Sequence, residues 1–152
     1  MQIDTFRDII HWTRGYHQQL SEWLRNSSES QQDERARMLL DYLADHEAKL
    51  SRAITAFEAT DNLNALDTWV MEFLNKEPLL PSTNLDAPFA EMTAEQIISK
   101  VEEEHNQIVE LYKFLVSRAS ATPAADLLEE LADLEKHEAM RLSQAWNRLT
   151  DI

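Results

Sequence analysis

A single glycine, Gly15, stands among the 152 residues of the chain, although glycine makes up about 7% of an average protein. The tight turns that join neighbouring β-strands depend on glycine, and so do the loops that wrap phosphate groups. Leu, Ala, Glu, Gln and Arg, which favour helices, dominate the sequence instead. The sequence therefore excludes a many-stranded β fold and predicts an all-α protein, with one domain over residues 1–152.

Charge and cysteine content narrow the range of partners and chemistry. The chain carries 28 Asp and Glu against 14 Lys and Arg, a net charge of −14, and has no cysteine. Nucleic acids and anionic membranes attract clustered positive charge, so we expect neither as a partner. The absence of cysteine excludes disulfides, thiolate metal sites and thiol catalysis. The sequence also lacks the pattern of a signal peptide or a membrane helix, so we expect a cytoplasmic protein.

Apolar residues recur three and four positions apart in four long segments, which is the period of amphipathic helices. These predicted helices cover about residues 4–26, 31–60, 94–119 and 123–150. The polar run NSSESQQ is expected to be the loop between the first two. Ser30 and Asp33 resemble a capping box at the start of the second helix, and Thr93 and Gln96 match one at the start of the third. Four helices of matched length predict an antiparallel four-helix bundle built from two hairpins.

The segment 61–92, between the second and third helices, is much longer than the other connections. Its first part, NLNALDTWVMEFLNK, has an apolar face and predicts a short extra helix. Its second part, EPLLPSTNLDAPFAEM, holds three of the four prolines and is expected to be extended. An extended chain of this length spans about 50 Å, enough to travel along a whole helix and make helices two and three parallel. The alternative is a loop that folds back.

The two predicted hairpins resemble each other in sequence. HQQLSEWL, which begins at His17, aligns with HNQIVELY, which begins at His105, at an offset of 88 residues. LLDYLADHEA aligns with LEELADLEKHEA at an offset of 91, which pairs His46 with His137 through a shared HEA. We therefore interpret the chain as a duplicated helical hairpin.

The four histidines of this repeat, one on each helix, are candidate metal ligands. His17, His46 and His105 continue the apolar seams of their helices, and His137 lies at the border of the fourth seam. Their positions along the hairpins place all four near the middle of the bundle, in one layer. A single seam histidine is usually a hydrogen-bonded core residue. Four buried rings all need partners, at a cost of about 1–3 kcal/mol for each one left unpaired, and one metal ion satisfies several of them.

Glu47 and Glu138 directly follow two of these histidines, His46 and His137. Neighbouring residues are about 100° apart on a helix, so each glutamate can reach the edge of the core. There it would act as a metal ligand or as an acceptor that fixes the tautomer of an imidazole. The alternative is a solvated acidic face, as expected in so acidic a chain. No residue pattern identifies a catalytic group.

The sequence resembles the hemerythrin and HHE cation-binding group across all four helices. The residues that carry the resemblance are His17, His46, Glu104–His105 and His137. The chain departs from the pattern where that group has further ligands, because Leu50, Val109 and Leu142 stand there. The resemblance implies a four-helix bundle that binds non-haem iron, without the carboxylates that bridge an iron pair in that group.

The chain is also similar to the ferritin-like, rubrerythrin-like di-iron group in its two hairpins and its long crossover. His17 and His105 occupy the positions of that group's single glutamates. The E-x-x-H pairs of the group read Leu43-x-x-His46 and Leu134-x-x-His137 here, with Glu47 and Glu138 as substitutes from the next position. This resemblance favours a ferritin-like topology. It implies one or two non-haem metal ions that react with O₂ or peroxide, or that are stored.

Two functions therefore compete. The first is a metal protein with a redox, oxygen- or peroxide-related, or metal-sensing role, and as an enzyme it would be a non-haem iron oxidoreductase. Its ion, non-haem iron or another divalent metal, would be held by His17, His46, Glu47, His105, His137 and Glu138. The second is a metal-free bundle that binds a protein partner, or a second copy of itself, through the segment 61–92.

Overall fold

The computed structural model describes residues 5–60, 88–118 and 124–150, which are helical apart from short connections. Four α-helices follow in chain order: α1 (Phe6–Ser30), α2 (Glu34–Thr60), α3 (Ala94–Arg118) and α4 (Ala124–Thr150). A short 3-10 helix, Phe89–Glu91, precedes α3. Within the described residues, the prediction of a helical fold with four long helices is confirmed. The predicted extra helix, and most of the predicted extended stretch in 61–92, lie outside the described residues.

The connection between α1 and α2 is shorter than the sequence predicts. The run NSSESQQ is predicted to be a loop, but α1 continues through Ser30, and only residues 31–33 join it to α2. Ser27 Oγ donates to the carbonyl of Trp23 at 2.8 Å, and Ser28 is buried. Serine hydroxyls that bond back to the preceding turn are accommodated within a helix. These serines therefore extend α1 instead of ending it.

Asp33, rather than Ser30, caps α2. Its Oδ2 accepts from the backbone N–H of Ala36 at 2.9 Å, as the side chain of an N-cap residue does. The predicted Ser30–Asp33 box is wrong, because Ser30 still belongs to α1. The box predicted for α3 is confirmed: Thr93 N–H donates to Gln96 Oε1 at 2.9 Å, and Gln96 N–H donates to Thr93 Oγ1 at 3.2 Å.

The 3-10 helix is held by the loop between α1 and α2. Gln31 is buried, and its Nε2 donates to the carbonyls of Phe89 and Met92, at 3.0 Å each. The side chain of Phe89 is buried as well. This end of the stretch predicted to be extended therefore forms a turn, because Gln31 satisfies the carbonyls that the turn exposes.

The chain divides into two compact units. We call the first the α1–α2 unit: it comprises α1 from His11, α2 up to Ala59, the 3-10 helix, and α3 up to Val101. We call the second the α3–α4 unit: it comprises the start of α1 up to Ile10, α3 from Glu102, and α4.

Besides an exposed bond between Arg25 and Asp45, three hydrogen bonds from buried side chains join α1 to α2 within the α1–α2 unit. They link Ser51 Oγ to the carbonyl of Arg14 at 3.2 Å, His17 Nδ1 to Glu47 Oε2 at 2.6 Å, and Ser21 Oγ to the carbonyl of Ala44 at 2.7 Å. As the residue number rises along α1 through these three bonds, the number of the partner on α2 falls. These bonds fix the register of the two helices around His17.

In the α3–α4 unit, Ser143 Oγ of α4 donates to Glu102 Oε1 of α3 at 3.0 Å. Besides Leu127, the buried positions of α4 follow a spacing of three, four and seven residues: Leu128, Leu131, Glu135 and Leu142. That spacing is the apolar stripe of an amphipathic helix, with one carboxylate in the middle of it.

Candidate metal centre

His17 and Glu47 lie side by side in the interior of the α1–α2 unit. His17 stands on the buried face of α1, three residues before the buried Leu20. Glu47 stands on the buried face of α2, between Leu43 and Leu50. Both polar side chains are 0% exposed. The buried faces of α1 and α2 thus each contain one polar residue, and these two residues are neighbours.

The two side chains are joined by a hydrogen bond of 2.6 Å between His17 Nδ1 and Glu47 Oε2. An ionised carboxylate can only accept, so Nδ1 carries the hydrogen and donates it. In the neutral ring, the lone pair of the other nitrogen, Nε2, is then available to a metal ion. A carboxylate that holds an imidazole in one tautomer and one orientation is a recurrent partner of metal-binding histidines.

His105 completes a group of three buried side chains that can hold a metal ion. His17, Glu47 and His105 each offer one ligand atom, and these atoms all lie within 4.8 Å of one another. His105 is 0% exposed. Nitrogen and oxygen ligands lie about 2.0–2.2 Å from a zinc ion, so ligands of one ion are at most about 4.4 Å apart. The limit of 4.8 Å is close to that separation.

The chemistry of this donor set fits a divalent transition metal. Two histidines and one carboxylate bind catalytic zinc and non-haem iron(II), and both kinds of site keep positions open for a reactant. Magnesium and calcium prefer oxygen ligands alone, so two imidazoles do not suit them. The fit is therefore to iron, zinc or a similar ion.

The other three predicted ligands lie outside this group. His46 is partly exposed, and its ring stacks on Tyr42 with centroids 6.5 Å apart. His137 is exposed. Glu138 is 18% exposed, and its Oε1 accepts from Arg141 Nη1 at 3.3 Å. Of the four predicted histidines, His17 and His105 are therefore buried, and His46 and His137 are not.

The helical period explains why His137 lies apart. The buried side of α4 passes through Leu131, Glu135 and Leu142. His137 follows Glu135 by two residues, which is about 200° around the helix, so its ring turns to solvent. On α2, Glu47 lies on the buried face with Leu43 and Leu50. His46, one residue earlier, is about 100° away from Glu47 around the helix, at the edge of that face.

Two further buried carboxylates are not among the predicted metal ligands. Glu135 is 0% exposed and Glu104 is 6% exposed. The signal for Glu135 is its spacing, four residues after Leu131 and seven before Leu142, but the shared HEA directs attention to His137. Glu104 ends an acidic run of three, 102–104, but it follows the buried Val101 by three residues and precedes the buried Ile108 by four.

Comparison of the chain with protein-family models, with curated proteins and with solved structures finds no match in any of the three. The function is therefore argued from the site rather than from relatives. Among the described residues, no helix combines the length and the apolar character needed to cross a membrane.

Proposed function

We propose that the chain binds a divalent transition-metal ion through His17, Glu47 and His105. The observation that carries this proposal is the group itself, three fully buried side chains whose ligand atoms lie within 4.8 Å of one another. Non-haem iron is the ion that we favour, because two imidazoles and one carboxylate are its common protein ligands. Zinc accepts the same donors and is the main alternative.

Burial supports the proposal energetically. A polar side chain loses its water contacts in a protein core, and a charged one loses more, unless it gains bonding partners there. The hydrogen bond between His17 and Glu47 provides partners for one pair. A metal ion bonds to both of these residues and to His105 at once, so it compensates the burial of the whole group.

The site also suggests a class of chemistry. When bound, the ion supplies Lewis acidity and, if it is iron, one-electron redox chemistry. The chain's own residues would bind the ion through Glu47 and the two imidazoles, and buried neighbours such as Leu20 and Leu43 keep bulk water away. Three protein ligands leave positions for a small molecule, which is why we propose a redox, oxygen- or peroxide-related, or metal-sensing role.

We further propose a distant relation to the ferritin-like or hemerythrin-like metal-binding bundles. Four long helices support it, and so do the buried histidines at His17 and His105. The three bonds from buried side chains between α1 and α2, whose residue numbers run in opposite senses, are those expected of an antiparallel hairpin. In such a relation, Glu47 would supply the carboxylate ligand beside these two histidines.

The metal-free alternative has an observation in its favour too. The bond between His17 and Glu47 is complete without an ion. Two apolar side chains one turn apart on α2, Met38 and Tyr42, are 64% and 44% exposed. In this alternative, the buried pair only specifies the packing, and the exposed face of α2 meets a protein partner.

Metal analysis separates the two functions. Untagged protein is stripped of metal, loaded separately with Fe²⁺, Co²⁺ or Zn²⁺, desalted and measured by plasma mass spectrometry. We expect about one ion per chain in the wild type and a loss of that ion in His105→Ala, since removing a ligand weakens the site. His137→Ala, the matched control that removes an exposed histidine, should keep the ion. Equal metal in all three proteins, or a metal-free wild type, would show that the proposed function is wrong.

A further inference from the structure

One offset of 88 residues relates the two halves of the chain. It carries α1 (Phe6–Ser30) onto α3 (Ala94–Arg118) at both ends. It also carries the segment LLDYLADHE, residues 39–47, onto LLEELADLE, residues 127–135. The offset of 91 that aligns the two HEA tripeptides is therefore not the one that the helices follow, and equivalent positions of the two halves are compared at 88.

Two serines that join α1 to α2 have apolar equivalents in the second half. The hydroxyls of Ser21 and Ser51 each donate to a backbone carbonyl of the opposite helix, at 2.7 and 3.2 Å. At the offset of 88, Val109 stands in place of Ser21, and Ala139 stands in place of Ser51. Valine and alanine side chains have no polar atom, so they cannot make the bonds that their equivalents make.

Val109 and Ala139 line a groove of about 460 Å³ in the α3–α4 unit. The lining residues recur three and four positions apart along each helix, as do Asn106, Val109 and Lys113 on α3 and Lys136, Ala139 and Ser143 on α4. Residues at this spacing share one face of a helix, so the groove is formed by one face of each helix. Small-molecule sites have volumes of about 300–1,000 Å³, and this groove falls within that range.

Part of the lining is apolar and accessible to a ligand. Val109 is 8% exposed, Ala139 is partly exposed, and Met140, which also lines the groove, is 50% exposed. A hydrocarbon chain that covers these side chains removes apolar surface from water, which favours binding. The groove therefore suits a ligand with an aliphatic part.

The charge of the groove is opposite in sign to that of the chain, which is −14. The lining includes two of the five lysines in the sequence, Lys113 and Lys136, and one carboxylate, that of Glu110. Lys113 Nζ lies 3.5 Å from Glu110 Oε1, so these two charges compensate each other. Lys136 is exposed and forms no ion pair among the described residues, so its ammonium is available to an anion.

We propose that this groove binds a small aliphatic monocarboxylate, with its carboxylate at Lys136 and its hydrocarbon chain on the apolar lining of Val109 and Met140. One negative charge matches the one ammonium that Glu110 does not compensate. A second negative charge on the ligand would be repelled by Glu110, which lines the same groove. The proposal concerns the α3–α4 unit alone and does not depend on the metal site.

The first test follows the methionine methyl groups of the full-length wild type, labelled with ¹³C, by NMR while sodium hexanoate is added. Met140 lines the groove, whereas Met38 on α2 is exposed outside it and serves as the internal reference. We expect the Met140 methyl resonance to shift until it saturates and that of Met38 to stay still. Hexylammonium has the same chain and the opposite charge, and it should bind about five- to tenfold more weakly. Met140→Leu assigns the resonance.

The second test reverses one charge in the groove. Lys136→Glu should weaken hexanoate binding by about tenfold and make the protein prefer hexylammonium. Lys49→Glu is the matched control, because it makes the same change at an exposed lysine of α2 outside the groove. It should keep the wild-type affinities for both ligands. Substitutions at exposed positions of this kind change stability little, so both variants should fold.

Four outcomes would overturn the proposal. In the wild type, they are equal shifts of the Met140 and Met38 resonances, a Met140 resonance that hexanoate leaves unchanged, and tighter binding of hexylammonium than of hexanoate. In the variants, the outcome is an affinity for hexanoate that Lys136→Glu leaves at the wild-type value. None of these results bears on metal binding, so this proposal and the proposed function fail independently.

Discussion

The α1–α2 half of the chain (residues 6–60) and the α3–α4 half (residues 94–150) share one register but differ in where they carry HEA. In α2 the tripeptide begins at His46, and its glutamate is fully buried. In α4 it begins at His137, which is exposed, and the buried glutamate is Glu135, three residues before the glutamate of the tripeptide. A shared tripeptide therefore predicts burial less well than the spacing of apolar residues does, because burial follows the period of the helix.

The largest expected difference between the halves concerns two histidines. His17→Ala leaves the buried Glu47 without its partner, and breaking a buried pair in this way costs about 3–5 kcal/mol of unfolding free energy. His137→Ala changes an exposed ring and should cost less than about 0.5 kcal/mol. Urea unfolding of the metal-free variants, followed by circular dichroism, measures both. Similar losses in the two variants would contradict the burial described for α1 and α4.

Three leucines test which offset relates α2 to α4. Leu43 and Leu131 correspond at an offset of 88 and are both 0% exposed, so Leu43→Ala and Leu131→Ala should each cost about 2–5 kcal/mol. Leu134 corresponds to Leu43 at the offset of 91, but it is only partly buried. We expect a clearly smaller loss for Leu134→Ala in the same urea experiment. A larger loss at Leu134 than at Leu131 would restore the offset of 91.

The smallest expected effects are at the ends of α2 and α3. Asp33→Ala and Thr93→Ala each remove an N-cap oxygen and should lower the unfolding free energy by about 1 kcal/mol. Ser30→Ala should change it by less than about 0.5 kcal/mol, because Ser30 lies inside α1 and is exposed. Thermal melts of the three variants provide the comparison. Equal losses at Ser30 and Asp33 would favour the loop and the capping box that the sequence predicts.

Much of the fold follows from the sequence because it depends on local chemistry. The scarcity of glycine and the spacing of apolar residues predict four helices, and the box of Thr93 and Gln96 marks the start of α3. The end of α1 is different. It depends on the burial of Ser28 and on the bonds that Gln31 makes to Phe89, far along the chain, and no local pattern contains those contacts.

The site, like the fold, can be predicted from the sequence only in part. The sequence identifies His17, Glu47 and His105 as candidate ligands, because each lies on or beside an apolar seam. Which carboxylate meets which histidine depends on how the helices pack, and spacing within one helix does not determine that. Glu135 shows the consequence: the spacing of α4 places it inside, but that spacing does not determine which side chains it meets there.

X-ray absorption of the iron- or zinc-loaded protein tests the central claim most directly, because scattering from imidazole rings counts the histidines bound to the ion. We expect two imidazoles per ion, from His17 and His105, with oxygen ligands completing the shell. The count should fall to one in His17→Ala that still binds metal and stay at two in His137→Ala. Four imidazoles per ion, or a signal without imidazole scattering, would contradict the proposed metal site.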